Sequence, residues 1–238
     1  MIVSGGSSGL GRSLLLAAPD GASLVDISRS GAQGLAREVT HLAVDLSDPG
    51  SWDRWREWIA GEARRPEWSR ITCIHAAGTL EPIGFAGEVD GAAYARNVLL
   101  NSAAGQVLGE AFLAAVAPLA DVRRELVMIS SGAARTAYPG WSAYGAGKAA
   151  LDQWARAVAA EQERRGGVRV HSIAPGVVAT AMQAHIRGMD AADFPPVDRF
   201  RQLHADGRLE DPDDVARRLW ALLDGDTTEP VVDLRDHR

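Results

Sequence analysis

The stretch SGGSSGLG, residues 4–11, decides the fold of this 238-residue chain. It follows an apolar run at residues 1–4 and precedes a run of helical character at residues 10–18. Gly5 permits a tight turn, Gly9 lets a ligand approach the backbone, and Gly11 allows a helix to pack closely on a strand. Because free N–H groups at the start of a helix bind phosphate, this arrangement predicts a pyrophosphate site formed by Ser4, Gly5, Ser8, Gly9, Leu10 and Gly11.

Short apolar runs alternate with longer helical stretches along the rest of the chain. Predicted strands cover residues 1–4, 22–28, 41–44, 71–76, 125–130, 168–173 and 231–234, and predicted helices cover residues 10–18, 31–39, 49–63, 90–119, 142–165 and 212–223. Val, Ile and Leu dominate the strands, as in strands that are buried on both faces. The alternation predicts an α/β fold in a single domain, residues 1–238, with a Rossmann-type doubly wound parallel sheet of about seven strands and helices on both faces.

Residues 181–211 break this alternation with Pro195 and Pro196. We interpret the segment as an excursion over one end of the sheet. Ligands of such folds lie beyond the carboxyl ends of the strands, so the excursion is a candidate substrate loop. The alternative is a surface pair of helices without contact to a ligand.

Composition and charge limit the partners and the compartment. The formal net charge of −6 disfavours nucleic-acid and anionic-membrane partners, because phosphate binding requires a basic surface. The one cysteine, Cys73, excludes an intramolecular disulfide and favours the cytoplasm. No apolar run approaches the roughly 18 residues that a membrane helix needs, and a cleavable leader would remove the glycine turn itself. We therefore expect a cytoplasmic protein with a small-molecule partner, and no nucleic acid, membrane or metal.

The end of the second predicted strand bears on the choice of dinucleotide. It reads VDISR, residues 25–29, and so offers both an acidic and a basic candidate. If the strand stops at Asp26, the carboxylate would accept the ribose hydroxyls of NAD. If the strand runs to Ser28, Arg29 is placed for the 2′-phosphate of NADP. Arg12 is either a second basic contact or a solvated helix residue.

Ser131, Tyr144 and Lys148 form the strongest functional signal. Tyr144 and Lys148 lie four residues apart on a predicted helix and share one face, and Ser131 stands at the end of the fifth predicted strand. A free tyrosine has a pKa of about 10, and a nearby ammonium would lower that pKa toward the range useful for acid–base catalysis. Reduction of a ketone requires a hydride at carbon and a proton at oxygen. Tyr144 suits the role of proton donor, and Ser131 suits that of hydrogen-bond donor to the carbonyl oxygen.

These motifs resemble those of the short-chain dehydrogenase/reductase family, and the resemblance covers essentially the whole chain. The glycine turn has the spacing of the family's T-G-x-x-x-G-x-G motif, with Ser4 in place of threonine, and the three polar residues match its S…Y-x-x-x-K pattern. Asn101, a short amide at a costly mid-helix position, matches the family's fourth catalytic residue. The resemblance implies that Lys148 tunes Tyr144 and holds the nicotinamide ribose, and that Asn101 anchors a proton-relay water. It also implies that Ser28 followed by Arg29 selects NADP over NAD.

Three further segments resemble cofactor contacts of the family. Asp45 and Leu46 are similar to its adenine-edge contact, although an aspartate at a helix N-terminus is an equal alternative. Residues 75–78 read HAAG where the family has N-N-A-G, so the asparagine pair is missing. His75 is interpreted as a structural hydrogen-bonding residue. Small residues still let a cofactor lie close at Ala76, Ala77 and Gly78. A segment similar to the family's P-G-x-x-x-T motif, which otherwise reads as a plain turn, contributes Pro175, Gly176, Val178 and Thr180.

The residues around the tyrosine resemble the sepiapterin reductase branch of the family, near which bacterial benzil reductases that form (S)-benzoin belong. The resemblance implies an NADPH-dependent carbonyl reductase acting on a vicinal diketone, with substrate contacts at Trp141, Met182, Phe194 and Asp233. Asp233 is equally well explained as a strand-end acid satisfied by the backbone. The alternatives are a pteridine-type reductase and a non-catalytic NADP(H)-sensing protein. Relatives are usually dimers or tetramers joined through the long helices, so a homodimer or homotetramer is expected.

Overall fold

One parallel sheet organises the chain. The computed structural model describes residues 1–63 and 68–237, and in that part of the chain seven strands pair in the order β3-β2-β1-β4-β5-β6-β7. The strands are β1 Ile2–Ser4, β2 Leu24–Ser28, β3 Val39–Ala43, β4 Arg70–His75, β5 Arg123–Ile129, β6 Arg169–Ala174 and β7 Val231–Asp233. The strand order reverses between β1 and β4, so a crevice opens at the carboxyl ends of these two strands. The predicted sheet is confirmed, and each predicted strand is found within two residues or so of its expected bounds.

Helices cover both faces of the sheet. They are α1 Gly9–Leu16, α2 Trp52–Glu62, α3 Gly91–Val98, α4 Ala104–Val116, α5 Ser142–Arg165, α6 Ala181–Arg187, α7 Val197–Ala205 and α8 Pro212–Asp224. On one face, α2, α4 and α5 bury Trp55, Phe112 and Leu151 in a single apolar cluster. On the other face, α1 and α8 bury Leu14 and Leu219. Both faces are therefore dry, which explains why the strands read as continuous apolar runs.

The helix α5 has the bounds predicted from the sequence, residues 142–165. Its buried residues Tyr144, Lys148, Leu151, Ala155 and Val158 recur every three or four positions and so form one stripe against the sheet. Gly166 ends the helix in the left-handed region at φ 61°, a conformation that costs glycine little. Arg164 and Arg165 lie in the last turn, where cations complement the helix dipole.

The helix predicted at residues 31–39 is absent, and this prediction was wrong. The chain between β2 and β3 is irregular, and Val39 begins β3. Gly31 and Gly34 take φ values of 76° and 67°, in the left-handed region that interrupts a right-handed helix. Two glycines with positive φ within four residues are incompatible with a continuous right-handed helix here.

The helical stretch predicted at residues 90–119 contains a π-helical turn. The turn Leu99–Ala103 joins α3 to α4 and carries the fully buried Asn101. Such single turns occur frequently at functional sites, because the extra residue changes which side chains face the site.

Within this stretch, Gly91–Val116 is long and apolar enough to cross a membrane by length and composition alone. The expectation that no segment has this character was wrong. A core helix passes the same test, and here Leu108, Phe112 and Val116 are completely or almost completely buried against the sheet and its neighbours.

Candidate active site

A cleft of about 630 Å³ lies at the carboxyl ends of the strands. The glycine turn forms one wall, and the segment that follows β6 forms another, together with α6 and α7 of the predicted excursion. The predicted cofactor residues that line the cleft are Gly5, Ser8, Gly9, Leu10, Gly11, Ser28, Arg29, Asp45, Leu46, Ala76, Ala77, Gly78, Tyr144, Lys148, Pro175, Gly176, Val178 and Thr180. The fold therefore brings together residues from six separate segments of the sequence.

The glycine turn has the shape of a cradle for a dinucleotide. Gly5 has φ 74°, and a Cβ there would lie 2.8 Å from the backbone nitrogen of Ala77. A Cβ at Gly11 would lie 2.2 Å from the carbonyl oxygen of Gly5. Both positions are therefore restricted to glycine by contact between backbone segments. The turn leads into the first residues of α1, whose free N–H groups suit a pyrophosphate.

Ser4 lies beneath the turn and not on the wall of the cleft. It is fully buried, its Oγ lies 2.8 Å from His75 Nδ1, and it accepts a hydrogen bond of 3.3 Å from the N–H of Ala77. Ser4 thus ties β1 to β4 below the predicted cofactor site. Burial, reinforced by the nearby Lys148, lowers the pKa of His75 to about 3, so the ring is neutral. His75 acts as a structural hydrogen-bonding residue, as the sequence predicted.

The strand β2 runs to Ser28, which leaves Asp26 inside the sheet with no exposed surface. The Asp26 carboxylate accepts the N–H of Gly6 at 2.9 Å and the hydroxyl of Ser28 at 2.7 Å. It is therefore committed to holding the glycine turn. Arg29 follows the strand, is exposed, and lines the cleft.

The sequence left the roles of Asp45 and Arg12 open. In the structure both residues have hydrogen-bond partners within the protein. Asp45 accepts hydrogen bonds from the N–H and the hydroxyl of Ser47, at 2.9 and 2.7 Å. These bonds, with a smaller contribution from Arg29, hold the pKa of Asp45 below its ordinary value. Arg12 reaches the carbonyl oxygens of Gln33 and Gly34 at 3.4 Å, away from the cleft lining.

Tyr144 and Ser131 both line the cleft. Tyr144 is buried to 8% exposure, and burial raises the pKa of its phenol above the ordinary value. A hydrogen bond with Ser131 opposes that rise. The sequence predicted a lowered pKa through Lys148, so the direction here is opposite. The reason is that the phenol is shielded from solvent, and that the Lys148 ammonium lies over the ring, 5.8 Å from its centroid.

Lys148 is the only lysine in the sequence, and it is buried to 3% exposure. Its ammonium donates a hydrogen bond of 2.8 Å to the carbonyl oxygen of Ile129. Burial lowers the pKa of Lys148 to about 8, although the attraction of Asp152 opposes this shift. The Lys148 ammonium is therefore more acidic than that of an ordinary lysine. It lies one helical turn from Tyr144.

We expect this buried amine to make stability depend on pH. The folded pKa of about 8 lies below the ordinary value of 10.5, so between these values the unfolded chain binds more protons at this position. Stability then rises with pH across this window by roughly 3 kcal/mol in total, at about 1.4 kcal/mol for each pH unit. Urea unfolding at several pH values should show wild type gaining this amount relative to Lys148→Met. A difference between the two proteins that stays constant across the window would contradict the assignment.

Asn101 is fully buried beside the cleft and does not line it. Its Oδ1 accepts the N–H of Thr79 at 3.1 Å, and its Nδ2 donates to the carbonyl oxygen of Thr79 at 2.7 Å and to Asn97 Oδ1 at 2.8 Å. A Cβ at Gly78 would lie 2.9 Å from Asn101 Oδ1 and 3.5 Å from Lys148 Nζ. The π-helical turn thus brings the predicted fourth residue next to the lysine.

The four predicted substrate residues separate into two pairs. Trp141 and Met182 line the cleft. Phe194 has no exposed surface and stacks behind Trp141, with ring centroids 4.4 Å apart. Asp233 does not line the cleft either; it pairs with Arg135 at 2.8 Å and Arg235 at 2.6 Å. Hydrogen bonds from Arg235 lower its pKa to about 2. The positions of Phe194 and Asp233 thus correct their assignment as direct substrate contacts.

Several cleft residues were missed from the sequence. Two of them carry buried polar atoms that have no hydrogen-bond partner among the described residues: Ser130 Oγ and Gln183 Nε2. The predicted Trp141 has such an atom too, its Nε1. Arg199 and Arg235 also line the cleft. Gln183 and the two arginines come from the excursion and the C-terminal segment, whose positions relative to the cleft only the tertiary fold defines.

Known proteins share this architecture over most of the chain. A family model described as short chain dehydrogenase matches residues 1–191. The chain is 35% identical over 238 residues to benzil reductase ((S)-benzoin forming) of Bacillus subtilis, with 99% of this chain and 98% of that protein covered. It is 33% identical to sepiapterin reductase of Mus musculus, over 83% of this chain and 75% of that protein. A solved short-chain dehydrogenase/reductase of Saccharomyces cerevisiae superposes with a TM-score of 0.83 at 23% identity, covering 99% of this chain and 95% of that one.

Proposed function

Because the chain belongs to the short chain dehydrogenase family of nicotinamide-dependent oxidoreductases, we propose that it is an NADPH-dependent carbonyl reductase with Tyr144 as proton donor. The proposed substrates are vicinal dicarbonyl compounds. One observation carries the proposal: the buried phenol of Tyr144 and the side chain of Ser131 line the same cleft as the glycine cradle, beside a buried ammonium.

The residues of the chain suit the reductive direction. The glycine turn would hold the pyrophosphate of the cofactor, and the reduced cofactor, when bound, would supply the hydride for the carbonyl carbon. Tyr144 donates its proton to the carbonyl oxygen, and Ser131 hydrogen-bonds that oxygen as negative charge develops. Since burial raises the pKa of Tyr144, the phenol carries its proton at neutral pH. Lys148 lies near enough to stabilise the phenolate left behind.

The unpartnered donors of the cleft wall support a substrate with more than one acceptor. Trp141 Nε1 and Gln183 Nε2 each carry an N–H buried without a partner among the described residues. A buried donor of this kind costs about 1–3 kcal/mol when it stays unsatisfied. A vicinal dicarbonyl has a second oxygen beside the reacting one and can accept such a hydrogen bond. The similarity to benzil reductase of Bacillus subtilis supports the same substrate class.

The end of β2 supports NADPH over NADH. Asp26 is buried beneath the glycine turn and is unavailable to ribose hydroxyls, whereas Arg29 is exposed on the cleft wall. A guanidinium forms strong charge-assisted hydrogen bonds with phosphate.

We therefore expect Arg29→Gln to lower kcat/KM for NADPH by about 10- to 100-fold and to change kcat/KM for NADH little. The measurement is initial-rate kinetics with both cofactors and one carbonyl substrate. Arg217→Gln serves as the matched control, because Arg217 is exposed on α8, pairs with Asp214 and does not line the cleft. An equal loss with both cofactors would argue against phosphate recognition by Arg29.

Oxidation of NADPH in the presence of benzil or phenyl-1,2-propanedione tests the proposed function directly. We expect turnover with NADPH and a monoalcohol product. Tight NADPH binding without turnover across a broad carbonyl panel would overturn the proposal in favour of a non-catalytic NADP(H)-sensing protein. Strong preference for a pteridine over every dicarbonyl would favour the pteridine-type reductase.

A further inference from the structure

A second cavity of about 380 Å³ adjoins the cleft. It lies between the end of α7, the segment that leads to α8, and the C-terminal residues. The residues that line both cavities are Val177, Arg199, Leu203 and Arg235. Tyr144 lines the cleft and not this second cavity. A substrate held at Tyr144 could therefore extend into the cavity with its far end only.

Three guanidinium groups line the second cavity, although the chain as a whole carries a net charge of −6. They belong to Arg199, Arg208 and Arg235. We call this cavity the arginine chamber. The apolar side chains of Val177, Leu203 and Leu209 also contribute to its lining, beside the arginines and Glu210. Such a lining suits an organic body that ends in an anion.

The acidic groups near the chamber already have arginine partners. Glu210 lines the chamber and is bonded to Arg218. Asp233 is shared between Arg135 and Arg235, and Asp236 adds a further attraction on Arg235. Of the groups that line the chamber, three are arginines and one, Glu210, is a carboxylate, which leaves an excess of positive charge along its lining.

Two of the chamber's guanidinium groups are uncommitted. Neither Arg199 nor Arg208 forms an ion pair with any of the described residues, 1–63 and 68–237. Arg199 packs over the ring of Tyr138, with 5.7 Å between its Cζ and the ring centroid, which holds the guanidinium at the cavity wall. A planar guanidinium forms paired hydrogen bonds with a carboxylate. The chamber thus offers such an anion two guanidinium groups that are not ion-paired within the described part of the chain.

We propose that the arginine chamber binds the anionic end of the substrate, so that the substrates are dicarbonyl compounds with a carboxylate remote from the reacting carbonyl. This inference rests on the proposed reductase function and names its substrate class. Arg199 and Arg208 attract the carboxylate. The apolar side chains of the lining contact the body of the molecule between its two ends. A cofactor phosphate is the other anion that these arginines could take, and the experiment separates the two.

The test compares a matched pair of substrates, the para-carboxy derivative of phenylpropanedione and its methyl ester, with NADPH at neutral pH and low salt. We expect wild type to favour the acid in kcat/KM by about 10- to 100-fold, chiefly through a lower KM, as one or two charge-assisted hydrogen bonds would give. Arg208→Gln and Arg199→Gln should each move the acid-to-ester ratio toward one by raising KM for the acid. Arg208→Lys should keep most of the preference, because it keeps the charge. Arg217→Gln, on the outer face of α8, should leave the ratio as in wild type.

Each other outcome overturns a specific claim. A wild-type ratio of one or less, or a ratio unchanged in both glutamine variants, means that the chamber does not bind the substrate's carboxylate. A rise in KM for NADPH without a rise in KM for the acid assigns the chamber to a cofactor phosphate instead. If neither the acid nor the ester is reduced, the reductase function itself fails, and this inference fails with it.

Discussion

Tyr144→Phe is expected to lower kcat/KM for a dicarbonyl substrate by about 100- to 10,000-fold, the contribution of a positioned general acid. The substitution removes one oxygen atom and leaves the ring, which packs edge-on against Trp141 with centroids 5.5 Å apart. The pocket should therefore keep its shape, and the dissociation constant for NADPH, measured by its fluorescence, should change little. Turnover of the variant at the wild-type rate would eliminate Tyr144 as the proton donor.

Tyr94→Phe is the matched control for this loss. Tyr94 lies on α3, its hydroxyl is 3.2 Å from Ser142 Oγ, and it does not line the cleft. Because this contact is exposed, we expect kcat/KM to change by less than about threefold. An equal loss in the two variants would mean that removing any tyrosine hydroxyl from this region disturbs the structure, and the Tyr144 result would then carry no mechanistic meaning.

Gly11→Ala is expected to weaken the fold and the cofactor site together. Its Cβ would overlap the carbonyl oxygen of Gly5, which is backbone and cannot rotate aside as a side chain can. We expect a loss of about 1–3 kcal/mol in the free energy of unfolding, the usual cost of overpacking. Because relief of the overlap must move the glycine turn, NADPH affinity should fall as well. Urea unfolding and NADPH titration of the same protein measure the two effects.

Gly61→Ala provides the comparison for this variant. Gly61 also lies in a helix, α2, but a Cβ there meets no atom within 4 Å. Alanine at a helical position without a steric conflict should stabilise by up to about 1 kcal/mol and should leave NADPH binding as it is. If Gly11→Ala behaved like Gly61→Ala, the close approach of α1 to the glycine turn would not be needed for the site.

Most of the architecture could be predicted because its signals are local. The glycine turn, the apolar strands and the stripe on α5 each lie within one segment, and α5 was predicted to the residue. The resemblance to short-chain dehydrogenases with benzil and sepiapterin reductases among the relatives is confirmed by the comparisons. The helix predicted at residues 31–39 failed because glycines in the left-handed region were given too little weight.

The parts of the site that sequence reasoning missed depend on contacts between distant segments. Phe194 has the composition of a substrate contact, but the depth at which it lies is set by its stacking on Trp141, 53 residues away along the chain. Asp233 has the chemistry of a ligand anchor, yet Arg135 and Arg235 neutralise it. The direction in which the Tyr144 pKa shifts depends on how deeply the phenol is buried, and the spacing of residues in the sequence does not indicate burial. Pattern identifies which groups are present, whereas packing decides which of them are available.

The solitary lysine gives the molecule an unusual outer chemistry. Every other basic side chain is an arginine or a histidine, so the surface presents guanidinium and imidazole groups but no side-chain primary amine. Amine-directed acylation of the native protein can therefore meet a lysine only inside the cleft, where it would report on access to the site. Covalent attachment to an amine-reactive support would likewise not involve surface side chains. It would occur through the α-amino group at the chain terminus.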